Sequence, residues 1–302
     1  MISVVTWKWK PAAGYRSKFG PENVNTLAAM VARYYRKPHR FICVTDEPAG
    51  IDSRIEVVPL WEQFSELKNP SGPANPSCYR RLRMFSKDAE DFFGPRFVSL
   101  DLDCVIAGDL SPLWDRPEDF VAWSDTNPRT HYNGSMMLLK AGTRTPIWDE
   151  FDPRTSPNAA KRAGHFGSDQ AWISYRLGSG EATWGTRDGV YSYRNHLRGA
   201  NSLPANARVV MFHGQIDPWS PQAQRLPWVR KFYRGELPDV AVLDAEAMVV
   251  WLTDGSKVPI TELIGAEGQP VKDISKALAF VAGAGNRWYS GALDRRKKVA
   301  LQ

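Results

Sequence analysis

Two carboxylates one residue apart close an apolar run: in RFVSLDLDC, Asp101 and Asp103 follow Phe97, Val98 and Leu100. Side chains i and i+2 of an extended chain project to one side, so both are expected to face a single divalent cation. Oxygen ligands of this kind suit Mg²⁺ or Mn²⁺, ions that commonly bridge the oxygens of a bound diphosphate. Chance or a capping role is the other reading of such a triplet. A second apolar run, VVMFHGQIDPW, delivers His213 and then Gly214. Imidazole serves the same borderline metals, and Gly permits close backbone approach to a ligand. A hydrogen-bonded structural histidine is the alternative there, and convergence of the three side chains is an expectation.

A sheet would bring such strand ends together. Residues 2–6 are a β-branched run, Val24, Leu27, Ala28 and Val31 recur at helical spacing behind Pro21, and residues 41–44 are apolar again. Residues 55–60 supply a third strand, 79–87 a basic helix, and 96–100 a strand compatible with burial on both faces. This alternation predicts an α/β fold with a mostly parallel, doubly wound sheet flanked by helices, in which ligands sit outside the carboxyl ends of the strands. Further apolar segments at 120–123, 135–139 and 209–212 are separated by loops of a length that is usually functional. GELPD at 235–239 reads as a linker, and beyond it residues 249–252, the turn signal Asp254-Gly255 and residues 258–260 predict a hairpin. The division expected is a main α/β domain over 1–238 and a C-terminal appendage of unknown role over 239–302.

The segments YRSKFGPENVNTLAAMVARYY, FICVTDEPAGID, RFVSLDLDCVIAGDLSPLWD, YNGSMMLLKAG, FGSDQAWIS and VVMFHGQIDPW, in this order, resemble the GT-A glycosyltransferases of the family-eight, glycogenin-like group and its bacterial and phage relatives. The resemblance implies a Rossmann-like GT-A fold over about residues 1–230. It implies that Asp101, Asp103 and His213 hold Mn²⁺ or Mg²⁺ against a nucleotide-sugar diphosphate, with Gly214 beside it. Asp169 and Gln170 match a pair near the donor sugar's anomeric carbon, and Asn133 matches an Asn of a sugar-side loop. Thr6 and Trp7 occupy the position that meets the nucleoside, Tyr15 is placed to stack on the base, and Asp46 is a further nucleoside candidate. One departure stands out. Such relatives carry a Lys that contacts the diphosphate, whereas this chain has Asp217 before Pro218 and Trp219. A carboxylate cannot replace that cation, so Arg81 or Arg83 in CYRRLRMF is expected to do so, or the donor differs, or activity is weakened.

Plainer readings of these residues remain open. Ser168 and Asp169 could simply cap the helix that SDQAWISYRL predicts. Tyr79, Leu82 and Phe85 fit a core-facing stripe that would leave Arg80, Arg83 and Lys87 on a solvated face. Trp7 and Trp9 alternate with Lys8 and Lys10, so one face of that strand could be core.

With 302 residues, 43% hydrophobic and 24% charged, the chain can bury a full core, which excludes disordered, collagen-like and disulfide-scaffold classes. Its three cysteines have no CxxC spacing and are read as reduced thiols. The N-terminal apolar run is too short for a signal peptide, and no run approaches the roughly 20 residues of a membrane span, so a soluble, cytoplasmic protein is expected. A net charge of +6 suits anionic partners. The run Arg295, Arg296, Lys297, Lys298 reads as a solvated tail, with a nucleic-acid or membrane contact as the alternative.

The expectation is a metal-dependent glycosyltransferase that transfers a sugar from a nucleoside diphosphate sugar, UDP-linked, to an acceptor that is a glycan, a protein or a modified nucleic acid. Retention follows from the resemblance; an inverting enzyme would need a general base, for which Asp125 or Asp169 would serve. The competing expectations are a nucleic-acid-binding protein or modified-base DNA glycosyltransferase, and a weakened nucleotide-sugar or glycan-binding protein.

Overall fold

The computed structural model describes residues 1–10, 18–70, 78–124 and 129–235, and beyond these the strands at 240–244, 249–252 and 257–259. The β-branched N-terminal run forms β1 (Ile2–Lys8), buried along its whole length. The helix Pro21–Tyr34 follows, with Pro at its first position and the Asn23 carboxamide accepting the Gly20 N–H at 2.8 Å. β2 (His39–Thr45) and β3 (Glu56–Pro59) then add in parallel beside β1. Next come β4 (Arg96–Leu100), β5 (Cys104–Ile106), β6 (Phe120–Trp123), β7 (Asn133–Lys140), β8 (Ala182–Trp184), β9 (Val190–Ser192) and β10 (Val209–Met211).

The main sheet has the order β3-β2-β1-β4-β7-β6-β8. Four of its six pairings are parallel; β7 breaks the pattern by running antiparallel to both β4 and β6. This is the mostly parallel α/β sheet that the alternation of segments predicts. Because strand side chains alternate, Val4 joins Leu27 and Val31 in one apolar layer, while Val5 and Trp7 join Tyr79, Leu82 and Phe85 in the other. A small second sheet, β5-β10-β9, packs a third apolar cluster around Phe212 and Trp228.

The basic segment differs from expectation. Cys78–Phe85 is a 3₁₀ helix, whose three-residue repeat aligns Tyr79, Leu82 and Phe85 on one buried line. Arg80 and Arg81 are buried as well, because Arg80 exchanges hydrogen bonds with Trp61 and Arg81 meets two carboxylates.

Past residue 239, β11 (Val240–Asp244), β12 (Val249–Leu252) and β13 (Lys257–Pro259) form a three-stranded antiparallel sheet of their own. β12 and β13 are the expected hairpin; β11 is a strand that the linker reading did not foresee. The basic tail lies outside the described residues.

Candidate functional site

The chain changes sheets within three residues of the end of β4. Leu100 is clamped by the Thr6 hydroxyl, which donates to its carbonyl at 2.9 Å. Asp101 N–H donates to the Ser135 carbonyl at the start of β7, and the Asp103 carbonyl accepts the Phe212 N–H just past β10. The segment is therefore bent at Leu102 and Asp103 and not extended, since it must leave one ladder and enter another. That geometry sets Asp101 against β7 and Asp103 beside the residue preceding His213.

Arg81 organises the floor. Its Nε and Nη2 reach Asp169 Oδ2 at 2.9 and 2.7 Å, and its Nη1 pairs with Asp101 Oδ1 and donates to the Gly134 carbonyl at 3.3 Å. The Asp169 side chain is 2% exposed and that of Asp101 26%. Burial works against the Arg81 charge, but the two carboxylates outweigh it and hold the guanidinium above its ordinary range. Burial pushes the Asp101 carboxyl up, opposed by Arg81 and by a hydrogen bond with Ser135. A Cβ on Gly134 would sit 2.5 Å from Arg81 Nη2 and would force the guanidinium to shift.

Asp169 opens the helix Asp169–Leu177, yet the Ser168 side chain makes no cap bond to it. Its hydroxyl instead donates to Asp169 Oδ1 at 3.1 Å and accepts the Cys78 N–H at 3.2 Å. Both residues line the cleft. Burial pushes the Cys78 thiol up to about 12, so it stands there as a neutral thiol. Gln170 Oε1 accepts the Gly134 N–H at 3.4 Å, and Asn133 Oδ1 accepts the Ser135 N–H at 2.9 Å.

Across the cleft, His213 Nε2 shares a 2.7 Å hydrogen bond with the Ser192 hydroxyl, and its ring makes a T-shaped contact with Trp123, centroids 5.1 Å apart. Gly214 then turns the chain at φ 133°, a backbone that favours glycine.

Of the residues expected from sequence, Arg81, Asp101, Asn133, Asp169, Gln170 and His213 line one cleft of about 540 Å³. Ser135, Cys78, Arg194 and Asn195 line it too; Ser135 and Cys78 lie in quoted segments without being singled out, and Arg194 and Asn195 carried no signal of spacing or motif. Other expected residues lie elsewhere. The Trp7 ring is core, packed on Trp61 and Phe93 with its Nε1 donating to Ser99 Oγ, so this strand face is the structural one. Arg83 pairs with Asp88 at 2.9 Å and lies over Trp61 and Phe92. Asp46 accepts the Lys10 N–H at 3.1 Å. Tyr15 and Asp125 fall outside the described residues.

Among the described residues, no three His, Cys, Asp or Glu side chains are gathered closely enough to hold a metal ion. Asp101 is turned to Arg81, and His213 Nε2 to Ser192. The backbone nevertheless places two carboxylates and an imidazole on adjoining segments, a donor set that suits Mn²⁺ or Mg²⁺. No helix among the described residues is long and apolar enough to cross a membrane.

No protein-family model and no curated protein sequence matches the chain. Solved structures do. Galactosyltransferase LgtC in complex with donor and acceptor sugar analogues superposes with a TM-score of 0.53 at 15% identity, over 76% of this chain and 93% of LgtC. An active-site mutant of LgtC gives 0.53 at 14% identity, over 76% and 95%. With the strand order and the cleft at the end of β4, this likeness shows that the chain has the GT-A, Rossmann-like fold of LgtC-type glycosyltransferases.

Proposed function

We propose that the protein is a glycosyltransferase that moves a sugar from a nucleoside diphosphate donor, UDP-linked, to an acceptor hydroxyl with retention at the anomeric carbon. One observation carries this reading: Asp101, Asn133, Asp169 and Gln170 gather around buried Arg81 in a single cleft at the carboxyl end of β4. The fold places that cleft where open α/β sheets bind ligands, and LgtC, which shares the fold, was crystallised with donor and acceptor sugar analogues.

Asp101, Asp103 and His213 would hold Mn²⁺ or Mg²⁺. When bound, such an ion neutralises charge building on the departing diphosphate. In the transfer, the acceptor oxygen bonds to the anomeric carbon as the bond from that carbon to the diphosphate oxygen breaks. The bonding pair leaves with the diphosphate oxygen, which also takes the acceptor's proton. Arg81 and Ser168 occupy both oxygens of Asp169, so this carboxylate acts by charge and position, stabilising the cationic character of the anomeric carbon. That role favours retention over a general-base mechanism. The carboxamides of Asn133 and Gln170 are placed to orient sugar hydroxyls.

Donor hydrolysis and UDP binding with and without Mn²⁺ test the reading. Asp103→Ala is expected to abolish Mn²⁺-dependent binding and hydrolysis while leaving the unfolding temperature unchanged. Unaltered hydrolysis by that variant would sink the metal assignment. Failure of the native chain to bind or hydrolyse any nucleoside diphosphate sugar would sink the function.

A further inference from the structure

The cleft wall formed by the small sheet carries a cation that the roles above leave unused. β9 and β10 run parallel with Ser192 opposite Met211, and the chain then makes a single π-helical turn, Tyr193–Leu197. That turn is clamped from inside. The Tyr193 ring stacks on Phe212 with centroids 4.4 Å apart and planes 8° apart, and Leu197 is buried. The Ser192 hydroxyl accepts the Asn195 N–H at 3.1 Å, and Ser192 N–H donates to His196 Nδ1 at 3.0 Å. With Tyr193 and Leu197 held inward, residues 194–196 are exposed, and Arg194 reaches the cleft beside His213. A Cβ on Gly214 would make ordinary contact with Arg194, 3.6 Å from Cδ and 3.7 Å from Nη1, so the arginine side chain lies over the His213-Gly214 turn.

Charge decides what this arginine can do. The Asp and Arg side chains lining the cleft are Asp101, Asp169, Arg81 and Arg194. The first three close on one another and leave one negative charge; Asp103 beside them adds a second, so a divalent ion would only neutralise the site and leave no positive charge for a diphosphate. Arg194 forms no ion pair among the described residues. Position 217, near the same turn, adds a buried carboxylate and no cation.

We propose that Arg194 is the diphosphate-binding cation of this cleft, its guanidinium fork meeting phosphate oxygens of the nucleotide beside His213. The inference rests on the donor reading above. A planar fork can grip two phosphate oxygens at once. Against the sequence expectation, the compensating cation comes from neither Arg81, whose charge is committed, nor Arg83, which lies outside the cleft.

The test is calorimetric titration of the full chain and its variants with UDP and with uridine, in the presence of Mn²⁺. Arg194→Ala is expected to weaken UDP about 10- to 150-fold, the loss of one charge-assisted bond to phosphate. Uridine affinity and the unfolding temperature should not move, and Arg194→Lys should recover part of the loss. UDP affinity equal to the native chain in Arg194→Ala, or equal losses for UDP and uridine, overturns the assignment while leaving the donor reading intact. If the native chain binds none of UDP, GDP, ADP and CDP, the donor reading fails and this inference fails with it.

Discussion

At the scale of single residues, the energetics of the site centre on Arg81. Its side chain is 6% exposed and that of its partner Asp169 2%, so removing the cation strands a carboxylate out of water. Breaking a buried pair from one side costs about 3 to 5 kcal/mol, and the partial exposure of Asp101 places this case near the lower end. Arg81→Met should therefore lower stability by about 3 kcal/mol in urea unfolding; an unchanged midpoint would mean that the triad is not structurally coupled. Gly134→Ala probes the same group without removing charge. Its Cβ would press on Arg81 Nη2 and come within 3.4 Å of Asp169 Oδ2. Donor turnover is expected to fall more than stability, as seen by comparing kcat with the unfolding temperature.

At the scale of elements, β2 contains a pH-sensitive point remote from the cleft. His39 begins the strand, buried, with its ring Nδ1 hydrogen-bonded to the Lys37 carbonyl at 2.8 Å and its ring in a T-shaped contact with Tyr35. Burial pulls its pKa from 6.5 down to about 4. The unfolded chain takes up a proton below pH 6.5 that the folded chain refuses, so stability present above that pH is lost as pH falls towards 4. At about 1.4 kcal/mol per pH unit, the full loss is about 3 kcal/mol. Denaturant unfolding of the native chain and of His39→Phe between pH 7 and 4 should diverge in slope across that window; parallel curves would show that His39 is protonated in the fold.

At the scale of the whole molecule, the cleft is built from the main sheet and the β5-β10-β9 sheet, whereas among the described residues β11, β12 and β13 pair with one another and with no other strand. Deleting them takes no strand from either ladder behind the cleft. We propose that residues 239–302 govern acceptor choice or association and not donor binding. A chain ending at Pro238 should then bind UDP with native affinity in calorimetry, and a folded truncation that has lost binding would place the boundary elsewhere.

What the sequence by itself determined is what local periodicity can encode. The apolar runs before Asp101 and before His213 had to be strands, and both deliver their polar residues at carboxyl ends, where the six ordered segments also pointed to a GT-A fold. Tyr79, Leu82 and Phe85 were legible as a buried stripe because a three-residue spacing is one face of a helix. Tertiary structure decided the rest. Arg81 and Asp169 are 88 positions apart, and nothing in either neighbourhood specifies the other. The Trp7 ring went to the core because the alternation of β1 fixes only that one face is apolar, while the packing of Trp61 and Phe93 decides what covers it. Arg194 lies 19 residues before His213 and joins it only through the parallel pairing of β9 with β10. Strand order and direction arise from which long-range closures bury the most apolar surface together, a property of the folded whole that no single segment carries.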